Sequence, residues 1–282
     1  MENVLVVRNL SKRYDEFQLK NVSFSLPKGC IMGLVGENGA GKSTTIKLIL
    51  NLINRDGGSV SIFGKDNLTH EKTIKEDLGV VFDESSFPDN LNAKNISLVM
   101  KNVYKNWDEG LFYSYLKRFA LPAQKKVKDY SRGMKMKLAI AAALSHHPKF
   151  LILDEATSGL DPMVREEILD IFLEFIQDEE RSILLSSHII SDLEKIADYV
   201  TFIHRGEVLF SEAKDQLLEE YGILKCTHAE FDSLDKDLIV RYRKNQFGVE
   251  ALVRRNKLKG KHLLDPAGIE DIMLFYSKGV EK

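Results

Sequence analysis

Cysteine is nearly absent from this 282-residue chain: Cys30 and Cys226 are its only two. Two scattered thiols supply neither a disulfide framework nor a metal knuckle, so the fold must rest on an apolar core. Cys30 stands just before an apolar run and reads as a small buried hydrophobe. Long apolar runs are also missing; those at 138–144 and 150–153 are core-sized and too short to span a bilayer. The opening, MENVLVVRNLSKRY, lacks the apolar stretch and small-residue cleavage site of a secretory signal. The expectation is a cytoplasmic chain, with any membrane path supplied by another polypeptide. Charge of one sign is lacking as well. A net charge of −2 at pH 7 exerts no global pull toward nucleic acid or anionic lipid. The basic stretches at 241–244 and 254–261 are short and read as solvated faces, so no nucleic-acid partner is expected. What is present, 44% hydrophobic and 29% charged residues, suffices for a large globular domain with an appendage.

Residues 4–7, 22–24, 31–35, 59–63, 78–82, 150–153 and 182–185 alternate or run apolar like strands. Helical spacing marks 43–52, 163–177 and much of the stretch from Asn90 to His147, where Leu111, Tyr115 and Phe119 share a face. A hairpin at 199–203 and 208–210 turns at Arg205 and Gly206. Such alternation implies an α/β fold around a parallel sheet, with a helical subdomain inserted at about 88–150. Residues 1–212 make up the main domain. Residues 213–282 carry no glycine-rich motif and mix short strand-like pieces with a closing helix at 269–276. They read as a small C-terminal α/β accessory domain.

The strongest chemical signal is Gly36-Glu37-Asn38-Gly39-Ala40-Gly41-Lys42-Ser43, followed by Thr44, between a predicted strand and a predicted helix. That is the context a phosphate-binding loop requires. Glycines let the backbone curl so that successive N–H groups face phosphate oxygens, and the helix N-terminus adds partial positive charge. Lys42 would place its ammonium on the β- and γ-phosphates, and Ser43 its hydroxyl on Mg²⁺.

A second signal is the apolar run Phe150-Leu151-Ile152-Leu153 ending in Asp154 and Glu155. Alternation along an extended chain turns the two carboxylates apart. Asp154 suits Mg²⁺, usually through water, and Glu155 suits a general base for the attacking water. An acidic pair at a helix start is the competing reading. His188 follows a strand end, where α/β sheets bind ligands; a satisfied structural histidine is its alternative. His146 and His147 lack metal-ligand spacing and read as surface or packing residues. Taken alone, Ser131 reads as a helix N-cap, and Ser158-Gly159-Leu160-Asp161-Pro162 as a turn and helix start with Pro162 at an early helical position. For the segment Ser131-Arg132-Gly133 the alternative is an anion-binding helix terminus serving a second nucleotide.

In this order the motifs resemble those of the ABC ATPases. GENGAGKST looks like Walker A, and LILDEATSGLD like Walker B running into the D-loop. SSH looks like the switch-histidine segment and YSRGMKMKL like the signature before its helix. The resemblance covers about residues 1–212. Less specifically, the tail ending GIEDIMLFYSKG is similar to the appendage of ABC-2-type exporters of drugs and antimicrobial peptides. The resemblance implies an ABC-type P-loop ATPase that uses ATP and Mg²⁺ to power export through separate membrane permease subunits, at the inner face of the cell membrane. It implies that Tyr14 stacks on adenine, that Ser131 and Gly133 reach the γ-phosphate held by a second ATPase subunit, and that Asp161 couples the two sites. An identical second subunit is expected ahead of a different one. Phe87, Leu91 and the helices at about 90–120 would dock the permease.

Two positions depart from the family pattern. Arg132 stands for the first glycine of the signature, with Met134 in place of its glutamine. Asp83 stands for the Q-loop glutamine after Val80-Val81-Phe82; a carboxylate there can bind Mg²⁺ or orient water but cannot donate an amide hydrogen bond. The competing class is a soluble ABC-type ATPase acting on the ribosome or DNA. Such proteins usually carry two cassettes or a long coiled coil, whereas this chain has one Walker A and no long heptad tract. A binding-only module is opposed by the presence of both Glu155 and His188.

Overall fold

The computed structural model describes residues 2–83, 87–257 and 264–280; residues 258–261 of the second basic stretch lie outside them. The chain begins with β1 (Asn3–Arg13), β2 (Gln18–Pro27), β3 (Ile31–Val35) and α1 (Lys42–Ile49). There follow β4 (Gly57–Ile62), β5 (Lys65–Asp66), α2 (Glu71–Glu76) and β6 (Leu78–Val81). Helices α3 (Ala93–Val103), α4 (Glu109–Arg118) and α5 (Arg132–Leu144) come next. Then β7 (Phe150–Asp154), α6 (Pro162–Phe175), β8 (Ser182–Ser187), α7 (Ile190–Ile196), β9 (Tyr199–His204) and β10 (Glu207–Ala213) alternate. The tail holds α8 (Lys214–Glu220), β11 (Tyr221–Cys226), α9 (His228–Ser233), β12 (Ile239–Asn245), β13 (Gly248–Arg254), β14 (Leu264–Pro266) and α10 (Ile269–Lys278).

Among the described residues the strands form three sheets. The central one runs β10-β9-β3-β8-β7-β6, parallel except for the antiparallel edge strand β10. Its middle strands β3, β7 and β8 are buried along their whole length, and β3 is apolar throughout, because both faces are covered. On β3, Ile31 and Val35 enter one core with α3 to α7, while Met32 and Leu34 enter a second with α1. That second core is roofed by an antiparallel sheet, β2-β1-β4-β5. Strand–helix alternation does not reveal this sheet, because the pairing of β1 with β4 joins segments about fifty residues apart. Both β1 and β2 outrun the apolar patches that announce them: exposed Lys20, Ser23 and Ser25 alternate with buried Leu19, Val22, Phe24 and Leu26.

Two local expectations need correction. In α4 the buried stripe is Phe112, Leu116 and Phe119, with Leu111 and Tyr115 only half-buried. Phe112 packs inward against Trp107, with ring centroids 5.2 Å apart. Cys30 is half-buried, and that burial pushes its thiol pKa up. The tail sheet, ordered β12-β13-β11-β14, is antiparallel. It does not stand apart: Leu252, Ile269, Ile272 and Phe275 share one continuous core with Leu193, Ile196, Phe202 and Phe210.

Candidate active site

Residues 36–41 link β3 to α1 at the end of the central sheet, and Lys42, Ser43 and Thr44 open the helix. Gly36 is required by close approach, since a Cβ there would lie 2.2 Å from Ile203 O. Gly39 and Gly41 have φ of 81° and 114°, which glycine adopts without strain. Gly41 is also the N-cap of α1 and offers no side chain to the first-turn N–H groups. Helices α3, α4, α5 and α6 differ, each being capped by a side chain: Asn92, Asp108, Ser131 and Asp161. Unlike those four, the N-terminus of α1 is left open to an anion held by the loop. Lys42 opens α1 at 5% exposure, and its Nζ lies 2.8 Å from Gly36 O and 3.2 Å from Glu155 Oε1.

Three strand ends bring the remaining groups to this loop. Asp154 closes β7, and its Oδ1 accepts from Ser43 Oγ at 3.2 Å and from Ser186 Oγ, on β8, at 2.6 Å. Glu155 comes next, but not as a continuation of the strand. Its φ is 52°, in the left-handed region, and its N–H donates to Ser186 at both O and Oγ, 3.1 Å each. The two carboxylates do diverge, yet a backbone reversal rather than strand alternation separates them. An α-carbon held in that region costs about 1–3 kcal/mol, which the paired N–H and the buried neighbours offset. Glu155 Oε2 lies 2.6 Å from His188 Nδ1. An ionised carboxylate only accepts, so the ring donates here, which fixes Nδ1 as protonated.

Gly39, Gly41, Lys42, Ser43, Glu155 and His188 line one cavity of about 690 Å³, together with Glu16, Phe17, Glu37, Asn38, Thr44, Asp83 and Ser158; Asp154 lies behind Ser43, outside the lining. Gly36 and Ala40 are structural members of the loop, and Gly206 N donates to Ala40 O at 3.0 Å. Other anticipated residues lie outside the lining. Tyr14 is 44% exposed, with Lys12 Nζ 5.7 Å from its ring centroid, and Phe17 is the aromatic that faces the cavity. Ser131 is exposed at the start of α5, accepting from Met134 N at 3.3 Å, and Gly133 is half-buried beside it. Asp161 is exposed and caps α6, accepting from Val164 N at 3.1 Å. Asp83 has its Oδ1 2.5 Å from Arg132 Nη2. His146 is a packing residue, stacked on Tyr104 with ring centroids 3.8 Å apart.

Sequence reasoning missed Phe17, Ser158 and Ser186. Ser186 had a signal, being one of three serines in a strand whose other residues are apolar. Phe17 had only its place between the first two strands.

The cavity can hold a polyphosphate at Lys42 and the α1 N-terminus, with an acid–base pair, Glu155 and His188, beside it. Known proteins resemble this chain. The ABC transporter family model matches residues 19–158. The bacitracin transport ATP-binding protein BcrA of Enterococcus faecalis is 32% identical over 254 residues, 88% of this chain and 80% of that protein. The lantibiotic transport ATP-binding protein SrtF of Streptococcus pyogenes is 34% identical over 215 residues, 75% and 92%. A solved ATP-binding subunit of an ABC transporter superposes with a TM-score of 0.69 at 28% identity, covering 76% of this chain and 91% of that one. At such identity and coverage the likeness extends past architecture to descent: the chain belongs to the ABC transporter family as an ATP-binding, ATP-hydrolysing subunit.

Proposed function

We propose that this chain is the motor of an exporter, working as a homodimer at the inner face of the cell membrane against separate permease subunits. The observation that carries the dimer is the division of the motifs. Lys42, Ser43, Glu155 and His188 line one cavity, with Asp154 directly behind Ser43, while Ser131, Gly133 and Asp161 lie outside its lining, with Ser131 and Asp161 exposed. A second copy brings its Ser131 and Gly133 onto the nucleotide bound at Lys42, and its Asp161 to the neighbouring site. Two ATP molecules are then buried between subunits, where water is excluded and electrostatic contacts strengthen.

Mg²⁺ fits the oxygen donors of Ser43 and Asp154, which adjoin at 3.2 Å in a buried setting. It supplies neutralisation of phosphate charge when bound. Lys42 holds the β- and γ-phosphates, and Phe17 or Tyr14 offers a ring to the base. A water attacks the γ-phosphorus, its proton passes to Glu155, and the bond to the ADP oxygen breaks. His188 orients the Glu155 carboxylate. Loss of the γ-phosphate contacts releases the two subunits, and the permease converts that opening into transport. BcrA and SrtF are named for transport of bacitracin and of a lantibiotic, and peptide antibiotics are the cargo class we assign.

Complementation tests the composite site. Ser131→Arg and Lys42→Ala chains should each be inactive, and mixing them should restore part of the activity, because one of two shared sites is then intact. No recovery on mixing refutes the homodimer. Purification from detergent-solubilised native membranes should recover a multi-span permease, lost on Phe87→Glu or Leu91→Glu. Recovery of ribosomes or DNA instead refutes the exporter.

A further inference from the structure

The two positions that depart from the family pattern meet each other. Arg132 Nη2 lies 2.5 Å from Asp83 Oδ1, although 49 residues separate them in the chain. The same guanidinium covers Gly159, between β7 and α6: a Cβ built on Gly159 would lie 2.5 Å from Arg132 Nη1. Asp83 lines the nucleotide cavity and also a second cavity of about 490 Å³, whose lining includes Arg132, Tyr130 and Lys135. Arg132 itself follows the N-cap Ser131 and precedes Gly133 at the start of α5. One guanidinium therefore touches the segment after β6, the segment before α6 and the first turn of α5.

We propose that Asp83 and Arg132 are a matched pair of positioning residues that sets the start of α5 relative to the subunit's own nucleotide cavity, a role that rests on the composite site proposed above. Each member is disfavoured alone. Without Arg132, Asp83 adds an unpaired negative charge to a cavity that receives phosphates. Without Asp83, Arg132 retains a cation but no anchor, and its long side chain no longer fixes Ser131 and Gly133. The side chains are 52% and 46% exposed, so the pair adds little to fold stability. Its effect lies in direction: the planar fork of a guanidinium holds an orientation that an ammonium does not. A shift at Asp83, caused by the nucleotide in one subunit, moves the Ser131 and Gly133 that the same subunit presents to its partner's nucleotide.

The test is a cycle of full-length chains assembled with their permease in membrane vesicles: wild type, Asp83→Gln, Arg132→Gly and the double variant, which restores both family residues. MgATP is the probe. Each single change should lower kcat about tenfold while ATP KM moves less than about threefold, and the double variant should recover about fivefold or more, a coupling typical of residues in direct contact. Arg132→Lys should fall between wild type and Arg132→Gly, keeping charge and losing the fork. Glycine at the first helical position weakens α5, so Arg132→Gln replaces it in the cycle if the glycine variant melts early. A double variant whose loss equals the product of the single losses overturns the pairing. Ser131→Arg, run alongside, separates the premises. If it leaves hydrolysis intact, the composite site has failed and the pairing loses its role. If it abolishes hydrolysis while the cycle is additive, only the pairing fails.

Discussion

Glu155→Gln keeps the shape of the side chain and removes its charge, which makes it the sharpest probe of the chemistry. The Glu155 carboxylate touches Lys42 Nζ at 3.2 Å and His188 Nδ1 at 2.6 Å. In the variant the glutamine carbonyl still accepts from Lys42, and its NH₂ donates to His188 Nδ1 once the ring carries its proton on Nε2 instead. Both contacts lose the carboxylate charge, although the one to Lys42 keeps the ammonium, and each weakens by about 1 kcal/mol. The fold should therefore survive, with Tm lowered by roughly 5 °C. ATP affinity should hold or rise, because a negative charge beside the γ-phosphate has gone. Turnover should fall by about 10² to 10⁴ as the general base is lost, which is about 3–5 kcal/mol on the barrier. Three measurements read this: a melt, equilibrium titration with a fluorescent ATP analogue, and the steady rate of phosphate release. Phosphate release within about threefold of wild type, with the melt near wild type, refutes the assignment. Weakened ATP binding would instead make Glu155 a prop for Lys42.

Gly36→Ala should abolish ATP binding, since its Cβ would lie 2.2 Å from a backbone oxygen, Ile203 O; retained binding in the same titration would mean that the loop has room to shift. Gly206→Ala meets Gln18 O at 1.9 Å with φ of 80°, and should cost about 3 kcal/mol or more in a urea melt. Burial lowers the pKa of His146, so the folded chain resists the proton that the unfolded chain takes up below about pH 6.5. The contribution is full above that pH and is lost as pH falls toward the folded pKa. Relative to His146→Phe, which keeps a ring against Tyr104 and cannot titrate, wild type should lose up to about 1.4 kcal/mol per pH unit below pH 6.5. A stability difference that is flat from pH 7.5 to 5.5 would refute this.

Much of the site was legible because its constraints are local. A loop that presents backbone N–H groups to phosphate needs glycine at fixed spacing, and an apolar strand ending in Asp154 and Glu155 must lift those carboxylates out of the core. The rest depends on contacts across the chain. Nothing near Glu155 signals its left-handed backbone, which is held by Ser186 on a neighbouring strand. The departures at Asp83 and Arg132 look like separate defects until the fold brings them within 2.5 Å. Tyr14 matched a pattern by spacing, yet the loop between β1 and β2 turns Phe17 to the cavity. The sheet β2-β1-β4-β5 stayed hidden for the same reason, since its partners are chosen by register and not by neighbours.

Stiffness is the consequence of the core that the tail shares with α7. The helix begins two residues after His188, and its Leu193 and Ile196 are buried together with Ile269 and Ile272 of α10. A close-packed interior yields little under load, so α7 has a wall on one side and the central sheet on the other. The imidazole thus sits at the mouth of a clamped helix. A push on that imidazole is resisted by α10, which is part of the frame behind α7 and would, if cut away, leave that helix with water for a backing.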